Sequence, residues 1–199
     1  LYFGVLLLLM CGGLFIVSAV ISRNAVSSVI DESLYQLAKE SAKVVAERVN
    51  AQLDTLSALA ETDAIKGDAL TLDEKLNLLK NEVKRSGHMR INIVNTNGQA
   101  KSTNGNITVI SSRDYFIKAL SGENAVSDPI ASKADSNIIV SYAVPIKDGN
   151  TVKGVLVAIR DGNELSNITN DIKFGKSGAA FMINSKGTTV AHNDKDLVY

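Results

Sequence analysis

The chain opens on an uncharged apolar run, "LYFGVLLLLMCGGLFIVSAVI", from Leu1 to Ile21. A helix needs roughly 20 such residues to cross the hydrocarbon core of a bilayer, so the run predicts a transmembrane helix over residues 1–22. A cleaved secretory signal would have a shorter apolar core followed by a small-residue cleavage site. From Asn24 to Ile65 there is neither Gly nor Pro. Apolar residues there recur at Ile30, Leu34, Leu37, Val44, Val45, Val49, Leu53, Leu56 and Leu59, the three-and-four spacing of one helix face. This predicts a long stalk helix over residues 23–65, roughly 60 Å at about 1.5 Å per residue, with two helices and an uncapped break as the alternative. "TLDEKLNLLKNEVKRSG" predicts a shorter amphipathic helix, with Thr71 as N-cap, Glu74 as its reciprocal partner and Gly87 as its stop.

Beyond Gly87 the period shortens to two. "MRINIVNTNGQAKS" alternates into Asn97-Gly98, which fits a type I′ hairpin turn. "NIIVSYAVPIKDGNTVKGVLVAIRD" predicts two strands about Asp148-Gly149-Asn150, with Pro145 at a strand end or edge because it has no N–H to donate. "ELSNITNDI" and the glycine-flanked loop "KFGKSGA" then connect to "AFMINSKGTTVA". That segment repeats the pattern of the first hairpin, aligning Asn184 with Asn95 and Gly187 with Gly98. One complete strand-and-helix module and the opening of a second are expected.

Composition removes several function classes. Lys plus Arg equals Asp plus Glu at 21 each, and no basic stripe with interleaved aromatics marks a nucleic-acid partner. Cys11 is the single cysteine; it lies inside the apolar run, where a small weakly polar side chain suits packing in lipid, and it leaves neither a disulfide within the chain nor a cysteine zinc cluster. His88 and His192 are distant in sequence and lack ligand-like spacing, and Asp194 and Asp196 fall in a lysine-interrupted loop, so no metal site and no cofactor are expected. No Gly-x-Ser-x-Gly elbow, phosphate loop or paired-carboxylate arrangement is present. The chain is not expected to be an enzyme.

A membrane helix, a stalk, a strand-and-helix module and a repeat of its first hairpin together resemble the double-Cache sensor domains of bacterial chemoreceptors and related transmembrane signalling proteins. The closest wording is "GVLVAIRDGNELSNITNDIKFGKSGAAFMINSKGTTVAHNDKDLV", similar to the junction between the two modules of such domains. The resemblance covers Asn24 to Tyr199. It implies an α+β fold: an N-terminal transmembrane helix, a stalk helix, a PAS-like antiparallel-sheet membrane-distal Cache module over residues 66–172, and the start of a membrane-proximal one over 173–199. It also implies extracytoplasmic small-molecule sensing at the cell membrane, with anchorage through residues 1–22, a homodimer paired along the stalk, and an output region beyond Tyr199.

"SSRDYFIKAL" supplies the candidate site. Amino-acid-sensing members of that family place an arginine two and three residues before large aromatics near a helix start, and Arg113, Tyr115 and Phe116 fit that spacing. A guanidinium offers forked donors that match a carboxylate, and aromatic walls exclude water. The plain alternative is that Ser111 or Ser112 caps a helix whose Asp114 complements the dipole. The family's amine-holding groups are less complete: Ile130 and Ser132 stand where an aromatic and an aspartate are expected, and Asp161 comes one or two residues late for the second aspartate. The ligand implied is a small carboxylate-containing molecule, whether amino acid, organic acid or modified amine. The rival reading is a membrane-tethered interaction module without a small ligand.

Overall fold

A computed structural model of the chain describes residues 2–135, 137–172, 178–194 and 197–198. The chain divides into two compact units, Leu1–Val44 and Val45–Tyr199. The first is helical over its described residues, part of α1 (Tyr2–Ala60). This helix is long and apolar enough to cross a membrane, with a window inside Met10–Ala60 reaching a mean hydropathy of 1.6. Cys11 is exposed on it.

The second unit holds the last part of α1 and the remaining elements. The predicted stalk does not run to Ile65: α1 stops at Ala60, and a separate turn of helix follows, α2 (Asp63–Lys66). Thr62 makes the break by taking extended backbone (φ −65°, ψ 142°) while its hydroxyl donates back to the Leu59 carbonyl at 2.7 Å. Helix α3 (Leu72–Ser86) forms as its caps require. The Thr71 hydroxyl accepts from Glu74 N–H, the Glu74 carboxylate accepts from Thr71 N–H at 2.8 Å, and Gly87 closes the helix at φ 71°.

Seven short or long strands form one antiparallel sheet: β1 (Arg90–Asn95), β2 (Gln99–Ser102), β3 (Ile107–Val109), β4 (Ala125–Val126), β5 (Ile130–Ala131), β6 (Ile138–Asp148) and β7 (Thr151–Asp161). The order is β3-β2-β1-β7-β6-β4, with β5 also on β6. Helix α4 (Asp114–Leu120) lies between β3 and β4 in the chain, and α5 (Glu164–Asn170) follows β7. Pro145 pairs with Val155 of β7 on one side and lies beyond the β4 register on the other, so its missing N–H breaks no ladder bond.

Both faces of this sheet are covered, which explains its apolar strands. One face packs Ile91, Tyr142, Val144, Leu156 and Ala158 against Leu56 and Ala60 of α1, Ile65 of α2, and Leu76 and Leu79 of α3. The other packs Val94, Ala143, Val155, Val157 and Ile159 against Tyr115, Phe116 and Ala119 of α4. The stalk periodicity divides accordingly: Leu56 is buried, whereas Ile30, Leu34, Leu37 and Val44 are exposed.

The two similar hairpins close in the same way. Asn95 accepts Asn97 N–H and Gln99 N–H on its side-chain oxygen, and Gly98 N–H donates to the Asn95 carbonyl. In the second hairpin, β8 (Met182–Ile183) to β9 (Thr189–Ala191), Asn184 accepts Lys186 N–H and Thr188 N–H while Gly187 N–H donates to its carbonyl. The two-residue type I′ turn expected at Asn97-Gly98 is therefore a three-residue loop, because the asparagine side chain organises the backbone beyond it. Residues 173–177 of the expected loop over 173–179, with its module boundary, and Asp196 lie outside the described residues.

Candidate functional site

Strand alternation decides what the second face of the sheet presents. In β1, Ile91 and Ile93 turn toward α1 and α3, so Arg90, Asn92 and Val94 turn toward α4. Arg90 and Asn92 are buried there. With Ser102, Asn106, Thr108, Ile110, Arg113, Tyr115, Ile130, Ser132, Lys133, Ala134, Ile139 and Ile159 they line a cavity of about 20 Å³. That is little more than one water needs, so any larger guest requires a wall to move.

One wall is β5 with the turn that follows it, tied to the rest of the module by side-chain hydrogen bonds. Arg113 Nη2 donates to the Ala131 carbonyl at 2.8 Å, Arg90 Nη2 to Ser132 Oγ at 2.7 Å, and Arg90 Nη1 to Asp135 at 3.0 Å. Lys133 Nζ reaches back to the Val109 carbonyl at 2.9 Å. Three cations thus stitch one short segment across the cavity. Among the described residues its lining contains Arg90, Arg113 and Lys133 and no carboxylate. Asp135 stands at its rim, where the Ser132 hydroxyl, the Asn137 N–H and Arg90 hold its carboxyl below the usual carboxylate range. Burial raises the Tyr115 phenol, offset in part by the Ser141 hydroxyl and the two arginines. Asn92 Oδ1 and Ser102 Oγ are buried with no hydrogen-bond partner among the described residues, polar atoms of a kind that interiors rarely leave unmatched.

The turn between β1 and β2 sets where Arg113 sits. Gly98 has φ 81°, and a Cβ on it would come within 2.6 Å of Ser111 Cα and Cβ. The Gly98 carbonyl also accepts Ile110 N–H at 2.8 Å. Two residues later Arg113 occupies the N-cap of α4 with no side-chain capping bond, so neither Ser111 nor Ser112 caps this helix. The arginine side chain is left for the cavity.

The family described as a Cache domain, in its double-Cache form, matches residues 22–199. The chain belongs to this family. Solved Cache structures of similar fold include the ligand-binding domain of the Pseudomonas fluorescens chemoreceptor CtaA in complex with L-isoleucine, which is 20% identical with a TM-score of 0.75, over 89% of this chain and 74% of that one. The same domain in complex with L-serine is 19% identical with a TM-score of 0.72, covering 85% and 74%. The sensory domain of the Campylobacter jejuni chemoreceptor Tlp3 with isoleucine bound is 17% identical with a TM-score of 0.65, covering 82% and 70%. No curated protein matches the chain.

In this Cache module three of the five residues singled out from the sequence, Arg113, Tyr115 and Ser132, line one cavity. Phe116 packs behind it in the core rather than on its surface. Asp161 requires a correction. It ends β7 opposite Ile139, but its carboxylate accepts Asn163 N–H and Nδ2 at 2.8 Å each and stays exposed outside the lining. Arg90, Asn92 and Lys133 were missed by sequence reasoning. The available signal was "RINIVN", whose polar positions fall in phase on a strand with both faces covered.

Proposed function

We propose that the chain is the extracytoplasmic sensing region of a transmembrane receptor of chemoreceptor type, binding a small carboxylate-bearing molecule in the cavity between β1 and the Arg113 loop. The observation that carries this reading is a polar cavity with three cations and, among the described residues, no carboxylate on its lining. Arg113 supplies the fork for the carboxylate, Tyr115 the wall beside it, and Ser132 a hydroxyl on the segment that opens and closes; Phe116 backs the arginine's helix. The amino acids named with the solved CtaA and Tlp3 domains support a ligand of this size.

The signal passes to α1 through the sheet. Ile159 of β7 lines the cavity, and the next residue, Arg160, bonds Gln52 of α1 at 3.0 Å, the Ser86 carbonyl at 3.2 Å and Glu164 of α5. A guest that resets the β5 wall favours one of two packings, and only its differential affinity for them can drive a response. Residues 1–22 anchor the chain in the cell membrane, and the exposed Ile30, Leu34, Leu37 and Val44 pair with a second copy.

The test is calorimetric titration of the chain in nanodiscs with a panel of amino acids, organic acids and amines. At least one carboxylate binds with saturation, and Arg113→Gln weakens it about tenfold or more, the loss of a charge-assisted pair. A panel with no binder would favour a tethered interaction module instead.

A further inference from the structure

We infer that the ligand of this cavity is a short dicarboxylic acid, gripped at one end by Arg113 and at the other by Arg90. The inference rests on the sensing function proposed above and specifies the ligand. The ammonium group of an α-amino acid is best matched by an anion, and among the described residues the charged groups on the lining are Arg90, Arg113 and Lys133, with the nearby Asp135 carboxylate already paired to Arg90 at 3.0 Å. Asp161 is exposed and outside the lining, with its Oδ1 accepting from Asn163 N–H and Nδ2. The lining carries a second guanidinium besides Arg113, that of Arg90, with its side chain only 6% exposed.

Each guanidinium holds an oxygen borrowed from one segment of the chain. Arg113 takes the Ala131 carbonyl, and Arg90 takes the Asp135 carboxylate together with the Ser132 hydroxyl. The segment therefore satisfies two anion sites from within, and a dianion substitutes for both sets of contacts. The span agrees. The forks grip consecutive residues, whose Cα atoms are about 3.8 Å apart, so they are separated by on the order of 10 Å or less. A four-carbon diacid with one charge-assisted hydrogen bond at each end has about that reach. Asn92 Oδ1 and Ser102 Oγ, buried without partners among the described residues, lie on the same lining and suit a hydroxyl between the two carboxylates.

The experiment titrates the chain in nanodiscs with malate, succinate, alanine, leucine and inorganic phosphate, then repeats the series on Arg90→Gln and Asp135→Asn. Malate or succinate binds at least about tenfold more tightly than either amino acid. Arg90→Gln removes that preference while leaving weak monocarboxylate binding, and Asp135→Asn strengthens diacid binding severalfold by deleting the internal competitor. Tighter binding of alanine or leucine than of both diacids overturns the inference but leaves the sensing function standing; no binding by anything overturns both. Phosphate as the best ligand also overturns it. If Arg90 merely staples the β5 segment to the sheet, Arg90→Gln weakens all ligands equally or unfolds the module and Asp135→Asn gives no gain, which again overturns it. The wild-type comparison and Asp135→Asn decide the matter even where Arg90→Gln fails to fold.

Discussion

Replacing Gly98 with alanine perturbs the position of Arg113 without touching the cavity, and Gly187→Ala provides an internal control. The two glycines sit in hairpin turns with the same asparagine-centred hydrogen bonds and nearly equal dihedrals, φ 81° and 78°. Alanine pays a similar left-handed penalty at both, about 1 kcal/mol. The surroundings differ. Nothing lies within 4 Å of a Cβ on Gly187, whereas on Gly98 it would meet Ser111 Cα and Cβ at 2.6 Å and Ser111 N at 2.7 Å. Relief requires the Ser111 backbone to retreat by about 1 Å, and overpacking of this kind typically costs a further 1–3 kcal/mol. Gly98→Ala should therefore destabilise its hairpin by about 2 kcal/mol more than Gly187→Ala does its own. In native-state hydrogen exchange that difference is about 30-fold faster exchange at the amides of residues 98–113, with ligand affinity falling because Arg113 moves along with Ser111. Equal effects of the two substitutions would refute the proposed role of this close approach.

Three further outcomes follow from other parts of the structure. His88 is buried with an unpartnered Nδ1, and its pKa is lowered to about 4, by burial first and then by Arg160. A depressed folded-state pKa gives stability that is present above the unfolded value near 6.5 and lost as pH falls toward 4; full linkage is about 2 kcal/mol between pH 7 and 5, cut to about 1 by solvent screening, and His88→Gln should abolish that slope in calorimetric unfolding. Arg160→Met should cost about 2 kcal/mol by stranding Glu164 and Gln52, and exchange at residues 49–56 should then no longer respond to ligand. Thr71→Ala removes the capping box and should lower the unfolding free energy by about 1 kcal/mol, read as a fall in midpoint with unchanged denaturant slope.

Local signals were legible in the sequence where one residue controls one backbone group. The Thr71–Glu74 box, the Gly87 stop, the strands about Gly149 and the Asn95/Asn184 repeat are such cases. Tertiary packing hid the rest. The break after Ala60 carries no Gly or Pro, since Thr62 turns the chain with a hydroxyl bond to Leu59. Arg90 and Asn92 read as the wet side of an alternating strand, and only α4 packing over that side turns them into a cavity lining. Asp161 carried the expected charge one or two residues late, and in the structure its Oδ1 accepts Asn163 N–H in the turn into α5, outside the cavity lining. Arg113 was singled out through the resemblance to the Cache family, whose arginine-then-aromatics spacing Arg113, Tyr115 and Phe116 match at the start of α4.

The most direct test of the sensing account is a crystal structure of the chain with the tightest-binding carboxylate from the panel. The account predicts a carboxylate group within about 3 Å of the Arg113 guanidinium, inside the cavity bounded by Arg90, Tyr115 and Ser132, with the Arg113 bond to the Ala131 carbonyl exchanged for the ligand. A ligand bound elsewhere, with Arg113 still on Ala131, would contradict it.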